Sequence, residues 1–460
     1  MKKDGVIMKS GKKLKLTINL MLFSALIFFL ASPAEAYRPR KYFKELPVPP
    51  DYAHEDMTGT WGGLRDDMYE SGITVASTYV CDVLGCVSGG RSQGARYDHS
   101  LGLDINMDLE EMADLEGMQF HVAGLYRAGR NLSADVIGNK FVTSSIFGHQ
   151  QFRFYTLYLE QSLLEDKVNI RIGRLGAGDD FARSDIYWIY LNNGIDGVPI
   201  SIPLNFAYPV YPTATWGARS IVHITDTIYA TTGIYDADPA VGRDEYYGLD
   251  FSLRLSRGIL GMQEFAFTPN TQEGATGFPG HYKAGGFCLS GEFDDLYSDA
   301  SGNSYILSGN APREYRVNYG FYVHADQMIY REGSPGSDQG LTIFSIITLA
   351  PSDMNMFPFF VDGGVFYKGL IPGRDDDITA FGIVYGRWSP DITHTEQIRR
   401  DTQNINVDPP GYELVLELTN KIQITPWMFL QPDFQIILHP GGTSDIPTAY
   451  VIGTRFGLTF

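Results

Sequence analysis

The sequence predicts an all-β fold, a transmembrane antiparallel β-barrel of sixteen strands with a short N-terminal periplasmic segment. Three observations carry this. Segments of apolar/polar alternation recur along the chain, and tight turns alternate with long loops. After the N-terminal region, no apolar run approaches the roughly 20 residues that a membrane-crossing helix needs.

The N-terminus reads as an export signal. Residues 1–36 carry Lys2, Lys3, Lys9, Lys12, Lys13 and Lys15, then an apolar run from Ile18 to Leu30, then Ala34-Glu35-Ala36. The run is too short to span a bilayer, and the A-x-A site predicts cleavage before Tyr37. Removing six lysines against two acids takes the formal net charge from −18 to −22, with 52 acids facing 30 Lys and Arg. Such an acidic chain argues against nucleic acid or anionic headgroups as the main partner, and predicts a weakly cation-favouring current unless arginines dominate the narrow site. Residues 37–72 form the predicted periplasmic segment. Tyr37–Asp56 is Pro-rich and extended; Trp61–Glu70 suits a short amphipathic helix with Asp66 and Asp67 exposed and Gly72 capping its end, at the barrel mouth.

Residues 73–460 are the predicted barrel, with no linker or clear repeat. Its 50 Gly, 28 Tyr and 28 Phe in the whole chain suit aromatic-edged strands better than helices. In Met118–Arg127, Gln119, His121 and Arg127 share one parity, Phe120, Val122 and Tyr126 the other. Lys167–Gly173 separates Lys167, Asn169 and Arg171 from Val168, Ile170 and Ile172. Glu413–Thr425 sets Glu413, Glu417, Lys421 and Gln423 against Leu414, Leu416, Leu418 and Ile422. Pro432–His439 repeats the pattern, and so does Tyr450–Phe460, where Tyr450, Ile452, Phe456, Leu458 and Phe460 face Val451, Gly453, Arg455, Gly457 and Thr459. Period two with one apolar face is a half-covered strand. The long charged groups of both signs on the polar face suit a water-filled lumen better than the outside of a soluble sandwich.

Loop lengths test this independently. Leu163–Val168, His223–Tyr229 and Gln423–Phe429 are tight, whereas 128–150, 176–215 and 389–411 are long and polar or Pro/Gly-rich, as periplasmic turns and outer loops are. Strand candidates number sixteen or seventeen, with the up/down order ambiguous between about 281 and 368. An even count favours sixteen.

Several stretches resemble one known family, the carbohydrate-selective outer-membrane porins of the OprB type. They are Met57–Thr74 (MTGTWGGLRDDMYESGIT), Val83–Gly90 (VLGCVSGG), Gly129–Ser133 (GRNLS), Arg171–Asp185 (RIGRLGAGDDFARSD), Asn318–Glu332 (NYGFYVHADQMIYRE), Tyr367–Asp377 (YKGLIPGRDDD) and Ile424–Gly442 (ITPWMFLQPDFQIILHPGG). The resemblance implies a sixteen-stranded barrel, usually a homotrimer, embedded in outer-membrane lipid, that lets saccharides diffuse passively and carries no cofactor. It also implies that the terminal strand ending on Phe460 is the signal read by the barrel-assembly machinery.

A pore favouring neutral sugars needs charged hydrogen-bonding groups and aromatic platforms at a narrow place. The candidates are Arg127, Glu160 and Arg171 on lumen parities, Asp433 with them, and Arg130 and Arg174 near strand mouths. The resemblance favours the arginines of GRNLS and RIGRL. Each could equally be a charge solvated in a wide lumen. The stretch 176–215, with Asp179, Asp180, Arg183, Tyr187, Trp188 and four prolines, is either a gate folded into the lumen or an outer cap, since forty residues without regular structure are unusual unless functional.

Other motifs carry less. Asp375-Asp376-Asp377 lacks the spacing of a Ca²⁺ loop, and nine scattered histidines predict no metal site. No nucleophile motif predicts an enzyme. Cys81 and Cys86 would lie roughly 16 Å apart on an extended strand, too far to bridge. The family pattern carries Asn where Cys86 stands, and three cysteines including Cys288 leave at least one unpaired, either buried or linked to another envelope protein. Two other functions fit the same residues: a general small-solute or cation porin, and a secreted soluble β-sandwich that binds or hydrolyses sugars.

Overall fold

The structure, a computed structural model, describes residues 52–460 apart from 149, 239, 241, 273 and 404–407. The expected signal peptide and the extended stretch up to 51 lie outside the described residues.

Sixteen strands close into one antiparallel barrel in which each pairs with its chain neighbours and the first with the last. In order they are β1 (Ile73–Ser88), β2 (Gly94–Asp108), β3 (Met118–Gly129) and β4 (Gln151–Leu163). Next come β5 (Val168–Leu175), β6 (Thr215–His223), β7 (Ile228–Asp236) and β8 (Ile259–Phe267). Then follow β9 (Gly280–Asp299), β10 (Pro312–Arg331), β11 (Gly340–Leu349) and β12 (Phe359–Lys368). The last four are β13 (Ile378–Arg387), β14 (Tyr412–Thr425), β15 (Met428–Leu438) and β16 (Ala449–Thr459). The stretch whose order the alternation left open holds β9 and β10, each of 20 residues, twice the length a membrane crossing takes. Sixteen strands leave an interior wide enough for an aqueous channel, where eight would be filled by their own side chains.

The side chains are arranged inside out relative to a soluble protein. Ile172, Phe321 and Val323 are 60%, 59% and 57% exposed on the outside, while Arg219 and Glu417 are 2% and 1% exposed on the inside. An outer face of this kind is stable only against apolar surroundings. Aromatics run along it near the end that carries the long loops: Phe359 meets Tyr385, Tyr385 meets Tyr412, and Tyr412 meets His439, with centroids 6.2, 5.5 and 4.6 Å apart. That is an interfacial girdle.

At the end with the tight turns, the expected helix is a 3-10 turn Trp61–Gly63 followed by an α-helix Leu64–Glu70. Asp66 and Asp67 are exposed, and Gly72 follows with a positive φ of 81°. Arg65 fastens this helix to the barrel seam, donating to the carbonyls of Val75 (3.0 Å) and Phe460 (2.8 Å). The long connection expected over 389–411 carries an α-helix, Pro390–Gln403, that the sequence reading does not include. The sequence signal was present in Ser389-Pro390-Asp391, a cap residue followed by proline at the first turn, and Ser389 is indeed the acceptor of the Thr393 amide through its carbonyl.

Candidate pore constriction

Residues 176–214, between β5 and β6, descend into the lumen and are bonded to its far wall. Glu417 on β14 takes the amides of Leu191 (2.6 Å) and Asn192 (3.1 Å) on its two carboxylate oxygens. Gln431 on β15 donates to the Ile189 carbonyl at 2.6 Å, and Arg455 on β16 to the Tyr190 carbonyl at 3.3 Å. On the opposite side, Tyr187 meets His324 of β10 at 2.7 Å, and Glu264 of β8 takes the Ala182 amide at 3.1 Å. Carboxylates and amides that the strands project inward thus replace the water that would otherwise satisfy this irregular backbone. The wall makes room for it. A Cβ at Gly382 of β13 would lie 2.5 Å from Ile195 Cδ1 and 2.8 Å from Tyr190 Cε1.

A second segment, 130–150 between β3 and β4, enters the lumen beside it. Glu413 on β14 takes the amides of Lys140 and Phe141 at 2.7–3.0 Å, and Ser144 donates to Asp82 (2.8 Å) and Asp98 (3.0 Å). Phe141 is fully buried against Phe357 and Phe360. Length alone marks this loop in the sequence and does not place it inside; the buried acids at inward strand positions, Glu413 and Glu417, are the signal that both loops have amide partners waiting in the wall.

The predicted site residues fall into three groups. Glu160, Arg171 and Asp180 are brought together. Arg171 Nε donates to Glu160 at 2.6 Å, its Nη1 lies 3.5 Å from Asp180, and Asp180 also pairs with Arg219 of β6 at 2.9 Å. Arg171 lies over the Tyr158 ring (4.9 Å), on which His121 stacks at 4.7 Å. Its side chain keeps 24% exposure, the most of the four charges in this ladder. Asp433 also faces inward and is buried. A second group holds the loops rather than facing water. Arg127 is 6% exposed, donates to the Phe147 carbonyl (3.3 Å) and lies over Tyr211 (4.6 Å), so it touches both lumen segments. Asp179 accepts from Tyr155 at 2.6 Å, and burial pushes its carboxyl up to about 6. Trp188 of the same segment, between buried Tyr187 and Ile189, is the exception and is 53% exposed. The third group lies apart. Arg130 is a mostly exposed partner of Asp135 at a strand mouth. Arg174 turns away from the lumen, to the outside of β5, where it meets Phe251 and the Asp250 and Ala214 carbonyls. Three positions from Arg171 in one strand, it had to take the other face.

The chain is a sixteen-stranded barrel whose lumen is narrowed by inward segments, with charged groups on its wall. The model of the carbohydrate-selective porin family OprB matches residues 92–460. The chain belongs to this family. Porin B of Pseudomonas aeruginosa is 26% identical over 419 residues, covering 88% of this chain and 91% of that protein. A putative porin, QuiX, of Acinetobacter baylyi is 22% identical with 88% and 93% covered. The structure of Pseudomonas putida OprB at high pH superposes with a TM-score of 0.83 at 25% identity, over 89% of this chain and 99% of the other. As an OprB member, the protein is a carbohydrate porin of the bacterial outer membrane.

The cysteines are free thiols: Cys86 is buried on the lumen side against the carbonyls of Ser88 and Gly89, while Cys81 lies on the outward parity of the same strand. Asp377 is held by Arg374 and takes the Gln423 amide, an ordinary turn.

Proposed function

We propose that mono- and oligosaccharides cross passively through the water that remains beside segment 176–214, past Arg171 of β5, without chemical conversion. The observation that carries this is the bonding of that segment to β8, β10 and β14–β16, while Arg171, held by Glu160 and by Asp180 of the segment, stays the most exposed charge of the ladder. Arg171 is the sugar-facing donor: two of its nitrogens are held by acids, and its exposed edge can reach hydroxyls. Trp188, half-exposed, is the platform for a sugar ring. Arg127 and Asp179 hold the loop in place, while Arg174 and Arg130 stand outside the eyelet.

Hydrogen bonds from charged groups are worth about 1.5–3 kcal/mol away from bulk water, and a wet lumen returns only part of that. Binding is therefore weak, near the millimolar level that corresponds to roughly 4 kcal/mol, which suits conduction: enough to enter, too little to stay. The remaining features support an outer-membrane life cycle. Residues 1–36 serve as a cleaved signal, 37–72 remain periplasmic, the barrel-assembly machinery reads Phe460, and the barrel assembles as a homotrimer in outer-membrane lipid.

Single-channel conductance in a planar bilayer, with sugars added in steps, tests the reading. Added sugar is expected to reduce the ion current in a saturable manner at millimolar concentration. Removing residues 183–208 is expected to raise conductance and weaken the block together. A current indifferent to sugar would instead make the pore a general small-solute channel.

A further inference from the structure

Residues 237–258, which join β7 to β8, belong to the end with the long loops, yet their second half lies along the outside of the wall. Three neighbouring strands hold it there. The Phe154 amide of β4 donates to the Tyr247 carbonyl at 2.9 Å, and Trp216 Nε1 of β6 donates to the Phe251 carbonyl at 2.8 Å. From β5, Arg174 donates to the Asp250 carbonyl and sets its guanidinium 4.8 Å from the centre of the Phe251 ring. Phe251 also meets Phe154 and Trp216, at 5.7 and 6.4 Å. Gly248 has a φ of +74°, and a Cβ there would stand 1.9 Å from the Phe154 carbonyl oxygen, so only glycine allows this approach.

Polar and apolar residues alternate along the segment, and the two sets behave differently. The polar set satisfies itself. Arg254 bonds Asp238 (2.9 Å), Asp250 (3.0 Å) and Ser252 (3.0 Å), while its amide donates to Asp236 at 2.7 Å. The apolar set stays open: Leu249, Leu253 and Leu255 are 56%, 58% and 47% exposed. The barrel surface around them has the same character, with Phe152, Ile172 and Ile234 exposed to 55%, 60% and 49%.

We infer that residues 247–255 form a clasp seated in the outer leaflet, with Leu249, Leu253 and Leu255 packed among lipid acyl chains. The clasp continues the apolar band of the barrel with a non-strand element. Irregular backbone is tolerated at that depth only where its polar groups find partners within the protein; here the Phe154 amide, Arg174, Trp216 and the Asp236 and Asp250 carboxylates supply them. Acyl chains suit this surface because Leu249, Leu253 and Leu255 extend the exposed apolar face of Phe152, Ile172 and Ile234, while the polar groups of the segment bond within it.

The test uses the full chain reconstituted in lipid vesicles, with Cys81, Cys86 and Cys288 replaced by Ser. A nitroxide is placed on Leu253→Cys, and on Leu249→Cys as a second site, with Ile172→Cys as the barrel reference. Collision with dissolved oxygen is expected to be high, and collision with nickel ethylenediaminediacetate low, at both clasp sites as at the reference. Frequent collision with the nickel complex would make the segment an aqueous loop. Low collision with both reagents, with dipolar broadening between labels, would make it a contact between copies. Either result overturns the clasp. Arg174→Ala is expected to raise nickel accessibility at position 253 several-fold while leaving sugar block unchanged; an unmoved label would remove Arg174 from the anchor.

Discussion

Arg455 on the last strand and Asp82 on the first form a bidentate pair across the barrel seam, with Nε and Nη2 at 2.8 and 2.9 Å from the two carboxylate oxygens. The same guanidinium donates to the Tyr190 carbonyl and pairs with Asp196 at 3.3 Å, so one side chain serves both barrel closure and the seat of the lumen segment. Arg455→Ala leaves two buried acids without their counter-charge, which costs roughly 3–5 kcal/mol. The expected result is a lower midpoint in the heat-induced band shift on SDS gels, together with noisier single-channel current. Loss of barrel stability with a quiet current would separate the two roles.

Arg171 and Arg127 are expected to fail in different ways. In Arg171→Ala, Glu160 keeps Asn169 (2.6 Å) and Asp180 keeps Arg219, so the wall holds its shape while the proposed sugar-facing donor is lost. Sugar block should weaken by about 3- to 10-fold, with little change in conductance. Arg127→Ala removes the contact to Phe147 and Tyr211, and should raise conductance by loosening both segments. A titration of current against sugar concentration reads both.

Acidification is expected to tighten the lumen segment through Asp179. Burial raises this carboxyl to about 6, above its ordinary 3.8, so the folded state favours the protonated form. The stabilisation is fully present below about pH 4 and is lost as pH rises through about 6. Between pH 7 and 5 the wild-type current should become quieter, and Asp179→Asn should flatten that dependence while keeping an acceptor for Tyr155. A steeper pH dependence in the variant would contradict the assignment.

Deleting Phe460 is expected to cut the amount of heat-modifiable, membrane-inserted barrel sharply, if the terminal aromatic is read during assembly. Arg65→Ala breaks the side-chain contact to the Phe460 carbonyl without touching that aromatic, and should lower the melting midpoint more than the yield. Equal losses of yield in both variants would assign Phe460 to closure of the seam rather than to assembly.

The sequence by itself determined the barrel, its strand boundaries within the alternating stretches, and which residues of β3, β5, β14 and β16 turn inward. A strand's side chains alternate whatever surrounds them, so Arg127, Arg171, Glu417 and Arg455 declare their face locally. The same rule puts Arg174 on the face opposite Arg171, although the resemblance favoured both as constriction candidates. The tertiary structure alone decided where the irregular segments go. Residues 130–150 and 176–214 have no period to read, and their positions rest on acids that lie far away in the chain: Glu413 beneath Lys140 and Phe141, Glu417 beneath Leu191 and Asn192. The same holds for Leu249–Leu255, whose alternation looks like a strand but whose backbone is held by Arg174 and Trp216 instead of a ladder. Period reveals which face a residue takes; only closure of the barrel brings together the distant groups that receive a loop's backbone.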